Sequence, residues 1–219
     1  MSMDRQDIEI LVLYYSRYGA VEKLARLAAR GVEAAGARAR LRTVASLNAH
    51  VDVGRAVKTA HAGAGTDSGA GAGASAPLAT LDDLRECAGL LLGTPTRFGA
   101  MAAAMQAFFE STTPLWLSGA LVGKPAGAFT STSTQHGGNE STLLDILRPL
   151  LHHGMLIVGL PYTENALSET SSGGTPYGAS HVAGSAGNAP ISAEERTLAM
   201  ALGKRVAQTA LALRASPLQ

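Results

Sequence analysis

Four short apolar runs punctuate the chain: IEILVLYY (8–15), AGLLLG (88–93), PAGAFT (125–130) and MLIVGL (155–160). None is long enough for a helix of its own, and none shows strict polar alternation. Each therefore reads as a strand buried on both faces. Helical patterns separate them. After the first run, Val21, Leu24, Ala25, Ala28 and Val32 fall on one helical face, with Glu22, Lys23, Arg26, Arg30 and Glu33 on the other. Gly36 closes that helix, and RARLRTV (38–44) alternates as an outer strand. A second helix spans about 100–111, and a third opens near Asn139 and buries Leu143, Leu144, Leu147, Leu150 and Leu151, with Pro149 set to kink or shorten its last turn. MLIVGL is expected as a fourth central strand, and an irregular stretch runs from it to about 190. The last helix opens on a capping box, Ser192 to Glu195, and presents Leu198, Leu202, Val206, Thr209 and Leu213 at helical spacing. Strands alternating with helices predict an α/β fold with a parallel sheet covered on both faces. Such sheets bind ligands beyond the carboxyl ends of their strands, where the strand order reverses.

Length and composition narrow the field. A chain of 219 residues suits one domain, and the Gly/Ala/Ser tract within about 45–80 reads as a flexible surface insertion in it. A formal charge of +1 argues against a nucleic-acid footprint and against a strongly acidic docking face. No apolar run approaches a membrane span, and the charged start MSMDRQDIEI does not resemble a secretory signal. The single cysteine, Cys87, excludes an intrachain disulfide and offers no cluster for a metal. A reducing, cytoplasmic setting is expected, with Cys87 as inert packing.

Three polar loops follow buried strands and should meet at one sheet edge. The first, Ser16-Arg17-Tyr18-Gly19-Ala20, opens a helix, whose unpaired amides and positive dipole end suit a phosphate. An ordinary turn with Ser16 as a cap fits the same residues. The loop lacks G-x-G-x-x-G, and GALVGKP (119–125) falls one residue short of a P-loop and ends in proline. The second loop, GTPTRFG (93–99), offers donors at Thr94, Thr96 and Arg97 and an aromatic edge at Phe98; it could border a flat ring, or Phe98 could pack on the core. The third, TSTSTQHGG (130–138), could line a polyol chain by hydrogen bonds or stand in solvent.

His152 and His153 end a helix with no carboxylate or cysteine nearby to complete a metal set; a ligand hydrogen bond or a charge at the helix end fits better. Trp116, flanked by Pro114, Ser118 and Gly119, reads as a loop residue able to wall a flat substrate. No G-x-S-x-G elbow follows a strand, which removes the serine hydrolases.

Taken in order, LVLYYSRYGAVEKLA, LLGTPTRFGAM, LWLSGALVGK, FTSTSTQHGGNEST, LLHHGMLIV and GGTPYGASHVAG resemble the successive motifs of the WrbA-type NAD(P)H:quinone oxidoreductases, flavodoxin-like proteins that bind FMN. The resemblance fails mainly in the 45–80 insertion and the C-terminal tail. It implies a flavodoxin-like three-layer sandwich with a five-stranded parallel sheet, and a homotetramer. It places the FMN phosphate on Ser16, Arg17, Tyr18, Gly19, Ala20 and Val21. Thr96, Arg97 and Phe98 would border the isoalloxazine ring. Ser131, Thr132, Ser133, Thr134, Gln135 and His136 would contact the ribityl chain and ring, and His152 would join the flavin site as a candidate proton donor. Tyr18 matches the family's nicotinamide-nucleotide contact and Trp116 its substrate-side aromatic. The segment Gly174 to Gly178 belongs to the added region that shapes the site across subunits. Arg17 is a departure that puts a cation in the phosphate turn.

The resemblance implies FMN-dependent two-electron reduction of quinones to hydroquinones by NADH or NADPH, the two partners using one flavin site in turn, with the hydride chemistry supplied by the cofactor. Two other functions share the fold: a flavodoxin-type electron carrier, and a scaffold protein that keeps FMN without catalysis.

Overall fold

The computed structural model describes residues 8–47 and 76–215, so most of the expected insertion lies outside the described residues. In chain order the elements are β1 (Glu9–Tyr14), α1 (Ala20–Ala34), β2 (Arg38–Thr43), α2 (Leu81–Glu86), β3 (Gly89–Pro95), α3 (Ala103–Glu110), α4 (Thr113–Leu117), β4 (Pro125–Thr132), α5 (Asn139–His152), β5 (Leu156–Ile157), α6 (Ala166–Glu169), β6 (Gly178–Val182) and α7 (Ala193–Ala215). The sheet is parallel throughout, in the order β2-β1-β3-β4-β5, with β6 also pairing β4. Among the described residues no helix is long and apolar enough to cross a membrane.

The apolar strands alternate between two buried layers. Ile10, Val12 and Tyr14 of β1, Leu91 of β3 and Phe129 of β4 pack under α1 and α7. Leu11 and Leu13, Leu90 and Leu92, and Ala126 and Ala128 face the other way, toward α3 and α5. This is the three-layer arrangement expected of strands with no polar face. The outer layer of α1 and α7 closes through two glycines. A Cβ on Gly31 would sit 2.0 Å from the Met200 carbonyl oxygen, and one on Gly203 would sit 1.9 Å from that of Ala28. Only bare backbone allows the helices to approach this closely.

The far edge departs from the sequence expectation. MLIVGL is not a central strand: only Leu156 and Ile157 form one, at the sheet's edge, paired with Pro125 and Ala126. The chain then leaves the sheet, and Gly178–Val182 takes the same edge beside Ala128–Thr132. The fifth sheet position is therefore shared end to end by β5 and β6, and the stretch expected to be irregular contains a strand. Gly178 makes this possible, because a Cβ there would lie 2.1 Å from the Ala128 carbonyl oxygen.

The ends of β6 and α7 are held by one carboxylate. Glu195 is 1% exposed. It accepts the backbone N–H of Ser192 at 2.9 Å while Ser192 Oγ accepts that of Glu195 at 3.1 Å, the expected capping box. It also accepts Gly173 N–H, Val182 N–H, the Ser172 hydroxyl and His181 Nδ1–H, at 2.7–3.1 Å. Burial pushes its carboxyl up, but these bonds outweigh it, and the pKa settles at about 2.

Two local expectations are corrected. Leu144 and Leu151 are exposed, because the buried stripe of α5 runs through Asn139, Thr142, Leu143, Ile146, Leu147 and Leu150. Trp116 lies in the short helix α4, which begins at Thr113-Pro114 with proline in its first turn, not in a loop. Pro149 sits inside α5 without ending it, and the helix continues to His152.

Candidate functional site

The strand order reverses at β1, whose two neighbours are β2 and β3, so the loops leaving β1 and β3 flank a crevice at the carboxyl edge. The first loop enters α1 through Gly19, whose φ of 85° is a conformation that side chains disfavour. No side chain caps this helix, and its first backbone bond runs from Lys23 N–H to the Gly19 carbonyl. The amides of Ala20, Val21 and Glu22 are left open at the positive end of the helix dipole. Ser16 Oγ is shielded from solvent and has no hydrogen-bond partner among the described residues. The reading of Ser16 as a helix cap therefore fails. A buried hydroxyl left unpaired beside open amides is the donor set that a phosphate completes.

Ser16, Arg17, Tyr18, Ala20, Val21, Thr96, Arg97, Ser131, Thr132 and Ser133 line one cavity of about 110 Å³ together with Pro95, Ala183 and Gly187. Ten of the residues singled out from sequence thus converge. The volume admits a small anion such as a phosphate group. Phe98, next to Arg97 in the second loop, does not line the cavity; it is fully exposed and is the one described non-glycine residue with positive φ, 53°. A bulky side chain held in that region with no packing in return is a common mark of a functional loop.

The hydroxyls divide into two groups. Thr94, expected as a ligand donor, is buried and accepts the Ala102 N–H at 3.0 Å. Thr130 donates to the Thr94 carbonyl at 2.7 Å. Both serve the scaffold. Thr96 and Thr142 share a hydrogen bond of 2.7 Å, which ties the second loop to α5. In the third loop, Thr132 Oγ1 donates to the Thr134 carbonyl at 2.8 Å, and Asn139 Nδ2 donates to that of Gln135 at 3.0 Å. Thr134, Gln135 and His136 project into solvent at the tip and do not line the cavity.

Neither Ala183, which lies in the GGTPYGASHVAG motif, nor Gly187 was singled out from the sequence. They arrive because β6 runs beside β4 and delivers them there: Ala183 N–H donates to the Thr132 carbonyl at 2.7 Å. Asn139 was also missed as a loop brace. Its position at a helix start after two glycines was the only cue.

Trp116 and His152 occupy a different place. They line a second cavity of about 540 Å³ between α3, α4 and α5, with Met101, Phe109, Arg148 and His153 among its walls. No described residue borders both this cavity and the first. His153 Nε2 lies 2.9 Å from Thr112 Oγ1, whose proton goes to the Phe109 carbonyl at 2.6 Å. The imidazole must therefore donate from Nε2, and Nδ1 is left as a buried acceptor without a partner among the described residues. Burial, and then the neighbouring His152, lower the His153 pKa and favour this neutral form. Cys87 is buried, its thiol pushed up to about 11 by desolvation, consistent with packing.

Comparison with known proteins identifies the family and the fold. Residues 8–164 match the family model described as NADPH-dependent FMN reductase. The NAD(P)H dehydrogenase (quinone) of Gluconacetobacter diazotrophicus is 43% identical over 210 residues, covering 94% of this chain and 99% of that protein. Its namesake in Chromohalobacter salexigens is 45% identical over 211 residues, covering 94% and 98%. Among solved structures, a WrbA-like flavodoxin from Agrobacterium tumefaciens superposes with a TM-score of 0.59 at 20% identity, covering 94% of this chain and 98% of its own. An archaeal flavodoxin gives 0.57 at 16% identity, covering 93% and 99%. These two share the flavodoxin-like fold expected from the sequence. On the family match and the identity to full-length relatives, the chain belongs to the NADPH-dependent FMN reductase family, among its WrbA-type NAD(P)H:quinone oxidoreductases.

Proposed function

We propose that the chain acts as one domain that holds FMN at the β1/β3 crevice and reduces quinones to hydroquinones with NADH or NADPH. The observation that carries this reading is the pairing of the orphaned Ser16 hydroxyl with open amides at the mouth of α1, in a cavity that the second and third loops complete. FMN, when bound, supplies the two-electron chemistry between nucleotide and quinone. The chain's own residues bind and orient. Ser16 and the amides of Ala20 and Val21 would hold the phosphate, and the small Gly19 lets backbone approach it. Ser131, Thr132 and Ser133 would meet the ribityl hydroxyls. Thr96, Arg97 and Phe98 would edge the ring, with Thr134, Gln135 and His136 covering it from the loop tip.

Tyr18 is exposed beside the phosphate turn and would contact the nucleotide. Trp116 and His152 lie in the second cavity, so a homotetramer would bring them to a neighbour's flavin site, where Trp116 walls the quinone and His152 can give a proton. Half-exposed Trp116 and its exposed neighbour Leu117 support such a contact. The relatives' name supports the quinone as acceptor over the carrier and scaffold alternatives. Nucleotide and quinone would use one ring face in turn.

The test is to load purified protein with FMN, follow bleaching of the flavin absorbance by NADH or NADPH, then add benzoquinone. Rapid recovery of the colour with parallel double-reciprocal plots is expected. No affinity for FMN would end the proposal. Tight FMN binding without benzoquinone reduction would favour the carrier or scaffold.

A further inference from the structure

Beside the cofactor crevice, a third cavity of about 300 Å³ is lined by Tyr15, Arg17, Leu47, Arg97, Met101, Ala102, Ala103, Ala104 and Gln106. Its chemistry is one-sided. Two guanidinium groups border it, and no carboxylate does among the described residues. Neither arginine forms a salt bridge among the described residues, whereas Arg26, Arg38, Arg40, Arg42, Arg85 and Arg148 all do. Arg97 is oriented by one bond to its neighbour's carbonyl, Nη1–H to the Thr96 oxygen at 2.6 Å. The Arg17 guanidinium stacks 5.4 Å from the Tyr18 ring centroid. Planar, weakly hydrated and always charged, such groups are suited to phosphate oxygens.

The opposite wall adds donors of its own. Helix α3 begins there with no side-chain cap and no acidic residue in its first turn. Met101 N–H is taken by Asp145 and Ala102 N–H by Thr94, while the first helical bonds start at Met105 and Gln106. The amides of Ala103 and Ala104 have no partner among the described residues. Two unpaired cations and two open amides thus surround one space, and both arginines also border the cofactor cavity.

We propose that this cavity receives a phosphate group of the reducing nicotinamide nucleotide, an inference that rests on the flavin function above. The cofactor's phosphate has its own donors at Ser16 and α1, so the arginine pair is available to a second anion arriving beside the flavin. A dinucleotide can offer its diphosphate bridge or, in NADPH, its 2′-phosphate. Both present the same chemistry to Arg17 and Arg97.

Ala103→Asp tests the proposal. Ala103 is exposed at the first position of α3, where an acidic side chain favours the helix, so the variant should fold at least as well as the parent. It adds a carboxylate to the wall of that cavity, beside the space a phosphate would occupy, so that charge rather than bulk opposes the ligand. Calorimetric titration of the FMN-loaded protein with NAD⁺ and NADP⁺ should show dissociation constants raised by roughly tenfold or more, the value of one charge-assisted contact. Loss with both nucleotides identifies the diphosphate, and loss with NADP⁺ alone the 2′-phosphate. Ala103→Asn, isosteric and neutral, should bind as the parent does, and FMN affinity should be unchanged in both variants. Equal weakening by both substitutions, or no weakening by Ala103→Asp, overturns the proposal. 1-Benzyl-1,4-dihydronicotinamide, which carries no phosphate, separates this failure from that of the flavin reading. It should bleach parent and variant at equal rates, and a protein that binds no FMN overturns both readings together.

Discussion

Replacing Glu195 by glutamine removes a buried negative charge from the point where the Ser172-Gly173 turn, the end of β6 and the start of α7 meet, while nearly preserving shape. The charge is held by N–H donors from Gly173, Val182, Ser192 and His181, and an amide would turn its own NH₂ group against some of them. The carboxyl's fall from 4.5 to about 2 measures how strongly the folded state prefers the charged form. At ~1.4 kcal/mol for each pH unit, that preference is about 3 kcal/mol, within the range for breaking a buried, hydrogen-bonded ion pair. The sign follows from the lowered value. The contribution is complete above pH 4.5, the unfolded value, and fades as pH falls toward 2. Urea unfolding at pH 7 should therefore show Glu195→Gln less stable by about 3 kcal/mol, and the gap should narrow steadily below pH 4.5. Asp83, which hydrogen bonds from Thr80, Arg42 and Arg40 hold at about 2 against the upward push of burial, titrates over the same window, but equally in both proteins, so the difference isolates Glu195. Because Val182 leads directly into Ala183 at the cavity wall, FMN affinity should fall as well. A variant within about 1 kcal/mol of the parent at pH 7, or a gap that does not respond to acid, would refute the reasoning.

Other outcomes follow from single contacts. Gly203→Ala should lower stability by about 2 kcal/mol despite alanine's better helix propensity, because its Cβ meets the Ala28 carbonyl; a melting temperature at or above the parent's would contradict this. Ser16→Ala should leave the FMN-free protein as stable as before, since its hydroxyl has no partner to lose, yet weaken FMN roughly tenfold in a fluorescence titration. Unchanged FMN affinity would remove Ser16 from the phosphate site. Phe98→Gly should cost no stability, against the ~3 kcal/mol or more of a buried aromatic, because it relieves a positive φ and uncovers no packing; benzoquinone turnover should fall. Marked destabilisation in urea would show that the ring packs after all.

Three of the four apolar runs were enough to establish the layers and the edge at which the loops emerge, because strands buried on both faces call for a covered parallel sheet, whereas the strand order came only with the family resemblance. The strand–Ser16–Gly19–helix turn was legible for the same local reason: its phosphate-binding features are backbone features of one contiguous segment. GASHV, by contrast, carries little strand character of its own, and became β6 through pairing with β4, a partner more than forty residues away. The fates of Thr94 and Thr130 depend on which carbonyls and amides pack beside them, so identical hydroxyls divide into scaffold and candidate ligand groups. Ser192 and Glu195 announced a cap, but the remaining donors to Glu195 come from segments that only chain packing brings together. The separation of Trp116 and His152 from the Ser16 crevice has the same origin. Residue type and spacing describe what a side chain can do, and the relative placement of α3, α4 and α5 decides where it does it.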